Sequence, residues 1–204
     1  EPLTVRAQTR LNGAGFAARL GGWFTRDHAC ALLSDGGAYG RYSYLTALPD
    51  VMDAVAHDVE ADVAGLLRAA CAGGGEASSV FTGGVIGRAA FELGARLEGL
   101  RRRPFRIEGG AAWPELLLLR YPAVLVFDHA ARSLHAYGRG PDAAAARAAM
   151  ARLVALYEAT PETPPHDGAV LDGPLLSETP DDAHEDKVAA LVRQIHAGDL
   201  FQAN

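Results

Sequence analysis

The sequence predicts an α+β fold, in which neighbouring strands pair with each other and amphipathic helices pack on the sheets. Two short apolar segments, 30–33 and 41–45, flank a Ser-Asp-Gly-Gly turn, which is the pattern of a β-hairpin. Two more, 123–127 and 134–137, are joined by a short polar loop. Because the strands are paired so locally, a doubly wound βαβ sheet is disfavoured and α+β is favoured.

The composition excludes several classes to which the protein could belong. The 204 residues are 49% hydrophobic, which is enough for one large core, and the net charge of −6 argues against nucleic acid or an anionic membrane as partner. No apolar run approaches the ~20 residues of a membrane span. Cys30 and Cys71 lie far apart and the histidines are scattered, so neither a disulfide framework nor a zinc site is indicated. We expect a cytoplasmic protein.

The first half of the chain continues beyond the first hairpin with two predicted helices. Residues 58–71 carry apolar side chains at helical spacing, and the glycines at 73–75 end that helix. Val80 and Phe81 then lead into a glycine-rich turn, and residues 89–100 have the pattern of a second helix.

The second half is predicted to contain an antiparallel sheet and two longer helices. Apolar runs at 116–119, 123–127 and 134–137 form the sheet, and Pro141 opens a helix that extends to about Glu158. Residues 160–173 are rich in proline and are predicted to be a linker or a surface crossing.

A last helix is predicted to start with Thr179 as its N-cap and to end at Gly198. It has an apolar face, and Leu200 and Phe201 are expected to begin a new extended strand. A helix that leads into a strand in this way is the beginning of a domain, so we expect the fold to continue beyond Asn204.

The glycine-rich segment 81–87, FTGGVIG, has two interpretations. Its glycines allow backbone N–H groups to approach a phosphate at a helix start, although the lysine of a P-loop and the acidic residue of a dinucleotide fold are lacking. Alternatively, the glycines let a strand bend tightly against the next helix. The carboxylates at 181, 182, 185 and 186 suit the positive end of a helix dipole and do not indicate catalysis. From these residues alone, no active site is evident.

Four segments resemble the large subunits of synthases that act on chorismate, namely aminodeoxychorismate (para-aminobenzoate) synthase component I and anthranilate synthase component I. In the order of that family they are ALLSDG with GRYSYL (31–36 and 40–45), FTGGVIG with FELGARLE (81–87 and 91–98), VFDH (126–129) and IHAGDLFQAN (195–204). They are similar to the family's LLES segment and following RYS strand, its FxGGxxG block, its strand ending in Asp-His and its IxAGDIFQxN segment.

The resemblance implies a fold in which two antiparallel β-sheets sandwich α-helices. Residues 1–175 are then an N-terminal domain similar to that of anthranilate synthase component I. Residues 176–204 are the start of the chorismate-binding catalytic domain. The family's catalytic residues are expected beyond Asn204, so no residue of this chain is assigned a catalytic or metal-binding role.

The function implied by the resemblance is that of aminodeoxychorismate synthase component I. This transferase converts chorismate and ammonia, in a transaminase-type amination, to 4-amino-4-deoxychorismate for p-aminobenzoate and folate synthesis. A glutamine amidotransferase subunit supplies the ammonia, and Mg²⁺ is expected for the full-length enzyme, bound outside this segment. The alternatives are anthranilate synthase component I, of tryptophan biosynthesis, and a non-catalytic regulatory domain that binds an amino acid.

A second implied site is a pocket for tryptophan at the first hairpin. The corresponding residues of this chain are Leu33, Ser34, Asp35, Tyr39, Gly40, Arg41 and Tyr42. Where the family has Glu-Ser this chain has Ser34-Asp35, which exchanges hydroxyl and carboxylate, although Asp35 is still expected to pair with a ligand ammonium. The alternative is a plain hairpin turn favoured by Asp and Gly.

Overall fold

The computed structural model describes residues 5–56, 61–72, 78–100, 113–163, 173–174, 176–177 and 179–203. The chain divides into two compact units, Glu1–Pro165 and His166–Asn204. The strands of the first unit are β1 Val5–Leu11, β2 Cys30–Leu32, β3 Tyr42–Thr46, β4 Val51–Val55, β5 Gly84–Ala89, β6 Leu116–Tyr121, β7 Ala123–Asp128 and β8 Ser133–Gly140. Its helices are a 3₁₀ turn at Ala17–Arg19, α1 Leu20–Trp23, α2 Val63–Cys71, α3 Glu92–Leu97 and α4 Ala143–Glu158, and the second unit contains α5 Asp181–Ala197.

The strands of the first unit form two antiparallel sheets, which confirms the predicted fold class. Sheet A has the order β1-β8-β7-β3-β2 and sheet B has the order β4-β6-β5. The division into domains at residues 175 and 176 stays a prediction.

Both predicted hairpins are confirmed. In the first, Cys30 lies opposite Thr46, and in the second Asp128 lies opposite Ser133. The single sheet predicted for 116–137 is wrong, because β6 pairs with β4 and β5 instead of β7. Only Pro122 separates β6 from β7, and proline lacks the N–H that a continuing ladder needs, so the chain changes sheets there.

The core of sheet A lies beneath α4. Leu45, Leu125, Leu134 and Leu153 are fully buried or nearly so, and each contributes about 1.5–3 kcal/mol by leaving water. α4 approaches β8 closely at Gly138, where a Cβ would overlap the carbonyl oxygen of Ala146.

The N-terminus of α4 differs slightly from the prediction. Asp142 is the N-cap, and its Oδ1 accepts a hydrogen bond from the N–H of Ala145 at 2.8 Å. Pro141 therefore precedes the cap instead of opening the helix.

Sheet B carries a second, smaller core against α2 and α3, formed by Val55, Val63, Leu93, Leu116 and Leu118. The predicted helix over 58–71 begins only at Val63, because Asp62 accepts a hydrogen bond from the N–H of Gly65 at 2.8 Å and caps it. Residues 58–60 and the terminating glycines at 73–75 lie outside the described residues.

The predicted helix over 89–100 is confirmed in part, as the shorter α3 at Glu92–Leu97, whereas the glycine-rich turn predicted before it is wrong. Residues 84–89 form β5, whose Gly84 and Ala89 lie opposite Tyr121 and Leu116 of β6. The helix α3 is short because Gly99 adopts a left-handed φ of 65° just after it. Four further elements, β1, β4, the 3₁₀ turn and α1, were not predicted.

In the second unit, α5 confirms the predicted helix but not its cap. Pro180 occupies the N-cap position without a side-chain hydrogen bond, so Thr179 is not the cap, whereas Gly198 ends the helix with φ of 82° as predicted. Leu200 and Phe201 have no ladder partner among the described residues, where 198–203 have turn, bend and irregular backbone, so the strand expected there stays a prediction.

Two remaining sequence expectations concern the linker and membrane spans. Of the predicted linker 160–173, Thr163 belongs to the first unit, and its N–H and hydroxyl both donate to the carbonyl of Ala18. Residues 164–172 lie outside the described ranges. Among the helices that the structure describes, none has the length and apolar character to cross a bilayer.

Candidate functional site

A cleft of about 720 Å³ opens beside the loop that connects β2 and β3. One wall is the segment around Phe16 that leads into α1. The other wall is formed by Leu33 and Ser34 of the loop, by Ser43 of β3 and by Phe127 and His129 at the end of β7. This volume falls in the range of small-molecule sites. Of the seven predicted pocket residues, Leu33 and Ser34 line the cleft.

Ser43 connects the β2–β3 loop to the end of β7 within this second wall of the cleft. Its Oγ accepts a hydrogen bond from the N–H of Ser34 at 2.9 Å and lies 2.8 Å from Nε2 of His129. Through these hydrogen bonds the hydroxyl holds the loop in place. Because Ser43 is only 1% exposed, the hydroxyl is not accessible as a nucleophile. The N–H of His129 also donates to the carbonyl of Arg41 at 2.9 Å.

The loop itself is closed by Ser34. Its hydroxyl donates to the carbonyl of Gly40 and accepts a long hydrogen bond, 3.3 Å, from the N–H of Gly36. A Cβ at Gly40 would overlap the Ser34 hydroxyl, so any other residue there would displace this hydroxyl from its hydrogen bonds. Ser34 therefore stabilises the conformation of the loop and also forms part of the cleft wall.

The other predicted pocket residues lie outside the cleft lining. Asp35 accepts a hydrogen bond from the N–H of Gly37 at 2.8 Å, which is the geometry of an Asx turn. Tyr39 is fully exposed, and Arg41 and Tyr42 stack on each other with the guanidinium 5.0 Å from the ring centre. The pairing of Asp35 with a ligand ammonium stays a prediction.

Arg41 is bound by Asp128 at the end of β7. Its Nε lies 3.1 Å from both carboxylate oxygens and its Nη2 lies 2.7 Å from Oδ2, a bidentate arrangement. The N–H groups of Ala130 and Ala131 donate to Oδ1 as well. The hydrogen bonds from Arg41 lower the pKa of Asp128 to about 2, against the opposing effect of burial, and the backbone N–H groups lower it further.

The lowered pKa predicts how stability depends on pH. A carboxyl whose pKa is about 2 when folded and close to 4 when unfolded stabilises the fold above pH 4, and this contribution is lost as the pH falls through 2. We expect the stability difference between the wild type and Asp128→Asn to shrink from pH 5 to pH 2. Urea unfolding at a series of pH values measures it, and a difference that stays constant over this range would contradict the assignment.

Sequence reasoning missed most of the cleft. The rings of Phe16 and Phe127 stack with centroids 4.6 Å apart, and the ring of His129 meets Phe127 edge-on at 5.0 Å. The VFDH segment was a signal for Phe127 and His129, but only as a family pattern. An aromatic wall beside an imidazole suits a small molecule with an apolar body.

The two other predicted chemistries have different outcomes. The phosphate interpretation of 81–87 is wrong, because these residues lead into and form an antiparallel strand and do not start a helix. Within the described part of the chain, no group of three or more His, Cys, Asp or Glu residues could hold a metal ion. No chemical step is assigned to a metal here.

Comparison with known proteins identifies the class. The family described as chorismate binding enzyme matches residues 37–204, which is more than half of the chain, and the protein belongs to this family. Members are enzymes that use chorismate, so the class of function is that of a chorismate-utilising synthase with chorismate as its ligand. No curated protein matches the chain.

Proposed function

We propose that this chain is a portion of aminodeoxychorismate synthase component I, which forms 4-amino-4-deoxychorismate from chorismate and ammonia. The family match over residues 37–204 carries the proposal. Within that family, the FTGGVIG and FELGARLE block and the FQAN sequence at 201–204 favour aminodeoxychorismate synthase over anthranilate synthase. In this proposal, glutamates and Mg²⁺ outside these 204 residues perform the chemistry, and an amidotransferase subunit supplies the ammonia.

Product identification tests the proposal. The full-length protein is incubated with chorismate, Mg²⁺ and an ammonium salt, and the products are separated by chromatography and detected by fluorescence. We expect 4-amino-4-deoxychorismate, and a reaction without ammonium is the control. Anthranilate as product would replace the proposal with anthranilate synthase, and no consumption of chorismate would favour a regulatory domain.

A second function is favoured by the cleft. We propose that this cleft is an altered form of the family's amino-acid pocket. Leu33 and Ser34 bound it, and Ser34-Asp35 stands in place of Glu-Ser. Asp35 is already engaged by the N–H of Gly37. A charge-assisted hydrogen bond contributes about 1.5–3 kcal/mol, so a poorly placed carboxylate lowers affinity appreciably.

Tryptophan is accordingly expected to bind weakly or not at all. Isothermal titration calorimetry with tryptophan and with indole-3-propionate, which lacks the ammonium group, measures what that group contributes. We expect similar, weak binding for the two ligands. Sub-micromolar affinity for tryptophan would show that the exchanged Ser34-Asp35 pair still recognises an α-amino acid.

A further inference from the structure

The cleft beside the β2–β3 loop has an arginine in its lining. Arg132 lies in the turn between β7 and β8, lines the cleft and is exposed. Within the described part of the chain, no carboxylate pairs with its guanidinium. Arginine stays protonated in proteins, so Arg132 brings a permanent positive charge to the cleft.

The backbone at Arg132 has a conformation that few side chains favour. Its φ is 48°, in the left-handed region, where glycine and asparagine are accommodated best. The turn connects strands whose last pair is Asp128 opposite Ser133, and glycine would make this turn with less strain. An arginine at such a position indicates a task for its side chain.

The described lining of the cleft contains no aspartate or glutamate. The hydroxyls of Ser34 and Ser43 are engaged in the hydrogen bonds that hold the loop. Nε2 of His129 is engaged as well, because it contacts the hydroxyl of Ser43. A ligand ammonium would therefore find no carboxylate in this lining, whereas a ligand carboxylate would find the guanidinium of Arg132.

Two carboxylates next to the lining are already paired. Asp128 precedes His129 in the chain, but Arg41 holds it at 2.7 Å. Glu162 is held by Arg19 at 2.6 Å. Neither carboxylate is free to pair with a ligand ammonium, so these groups do not restore the amino-group recognition that the lining lacks.

We propose that the cleft selects aromatic carboxylates, with Arg132 binding the carboxylate and the wall of Phe16 and Phe127 contacting the ring. This inference rests on the proposed function of the cleft as a ligand pocket and names its ligand class. An arginine binds a carboxylate through two parallel hydrogen bonds, and the apolar wall removes the ring from water. The ammonium group of an amino acid then adds nothing, which is why tryptophan and indole-3-propionate are expected to bind equally weakly.

Three ligands that share one indole ring test the inference. Indole-3-propionate is an anion, indole-3-propionamide is neutral and tryptamine is a cation. Equilibrium dialysis against the protein, at low and at high salt, measures the three affinities. We expect indole-3-propionate to bind about fivefold more tightly than the amide, the upper end for an ion pair that stays partly in water. High salt should remove this advantage, and tryptamine should bind least.

Replacing Arg132 shows whether its charge is responsible. Arg132→Gln is expected to lower the affinity for indole-3-propionate about fivefold, to that of the amide, and to leave amide binding unchanged. Arg147→Gln removes an equal charge from an exposed position of α4 and should change neither affinity. Thermal unfolding checks that each variant folds, and Arg132→Gly, which suits the left-handed backbone, serves as a second variant.

The outcomes separate this inference from the proposal on which it rests. Equal affinities for indole-3-propionate and its amide, or equal losses in Arg132→Gln and Arg147→Gln, would overturn the inference and leave the cleft as a ligand pocket. Binding of none of the three ligands would overturn the pocket and the inference together. The product formed from chorismate is measured independently of both.

Discussion

Replacing Glu115 with alanine is expected to lower the free energy of unfolding by about 3–5 kcal/mol, because it leaves the charge of Arg96 buried without this carboxylate. Nε of Arg96 lies 2.7 Å from Oε2 of Glu115, and the two side chains are 13% and 3% exposed. The backbone of Glu115 also joins two strands, since its N–H donates to Val55 and its carbonyl accepts from Ala90. The ion pair fixes α3 and the FELGARLE segment against sheet B.

A second ion pair on the same sheet provides the control. Arg120 binds Asp50 through Nε and Nη2, at 2.8 and 3.0 Å, but the side chains of Asp50 and Arg120 are 32% and 27% exposed. Asp50→Ala is expected to cost about 1 kcal/mol or less. Urea unfolding of both variants measures the difference, and equal losses would show that burial of the pair at Glu115 has no energetic consequence.

The second large effect is expected for Trp23→Ala, which should lower the free energy of unfolding by about 3–5 kcal/mol. Trp23 is 0% exposed and its ring meets Tyr157 of α4 edge-on at 6.4 Å. Its indole Nε1 has no hydrogen-bond partner within the described part of the chain, so the loss comes from packing.

The neighbouring position is the matched control for Trp23. Phe24 is 56% exposed, and Phe24→Ala is expected to change stability by no more than about 0.5 kcal/mol. Because α1 anchors the segment that carries Phe16, Trp23→Ala should also lower the affinity of the cleft for any ligand that it binds. Denaturant unfolding and ligand titration check both effects, and a stable Trp23→Ala variant with unchanged ligand affinity would contradict this role.

Elements whose signals are local were predicted well. The β2–β3 and β7–β8 hairpins and the helix α4 follow from alternation, turn residues and helical spacing within about ten to fifteen residues. By contrast, most of β5 was predicted to be a glycine-rich turn. Its glycines are poor strand formers, and its strand conformation depends on pairing with β6, some thirty residues further along the chain.

The candidate site divides in the same way. Leu33 and Ser34 were placed through a local motif, and they line the cleft. Ser43, His129 and Phe16 were not placed, because their contacts join segments that are remote in sequence: the hydroxyl of Ser43 meets an imidazole 86 residues away. The bidentate pair of Arg41 and Asp128, 87 residues apart, was missed for the same reason.

The amino-acid sequence by itself determined the α+β class, the two hairpins and the membership in a family of chorismate-utilising enzymes, because these depend on short patterns and on motifs in a constant order. Only the tertiary structure decided that β6 and β7, with one proline between them, belong to different sheets. It also decided that the first hairpin lines a cleft, where Ser43 contacts His129. Strand partners and cleft walls are selected by long-range packing and hydrogen bonding, and these act between residues that no local pattern connects.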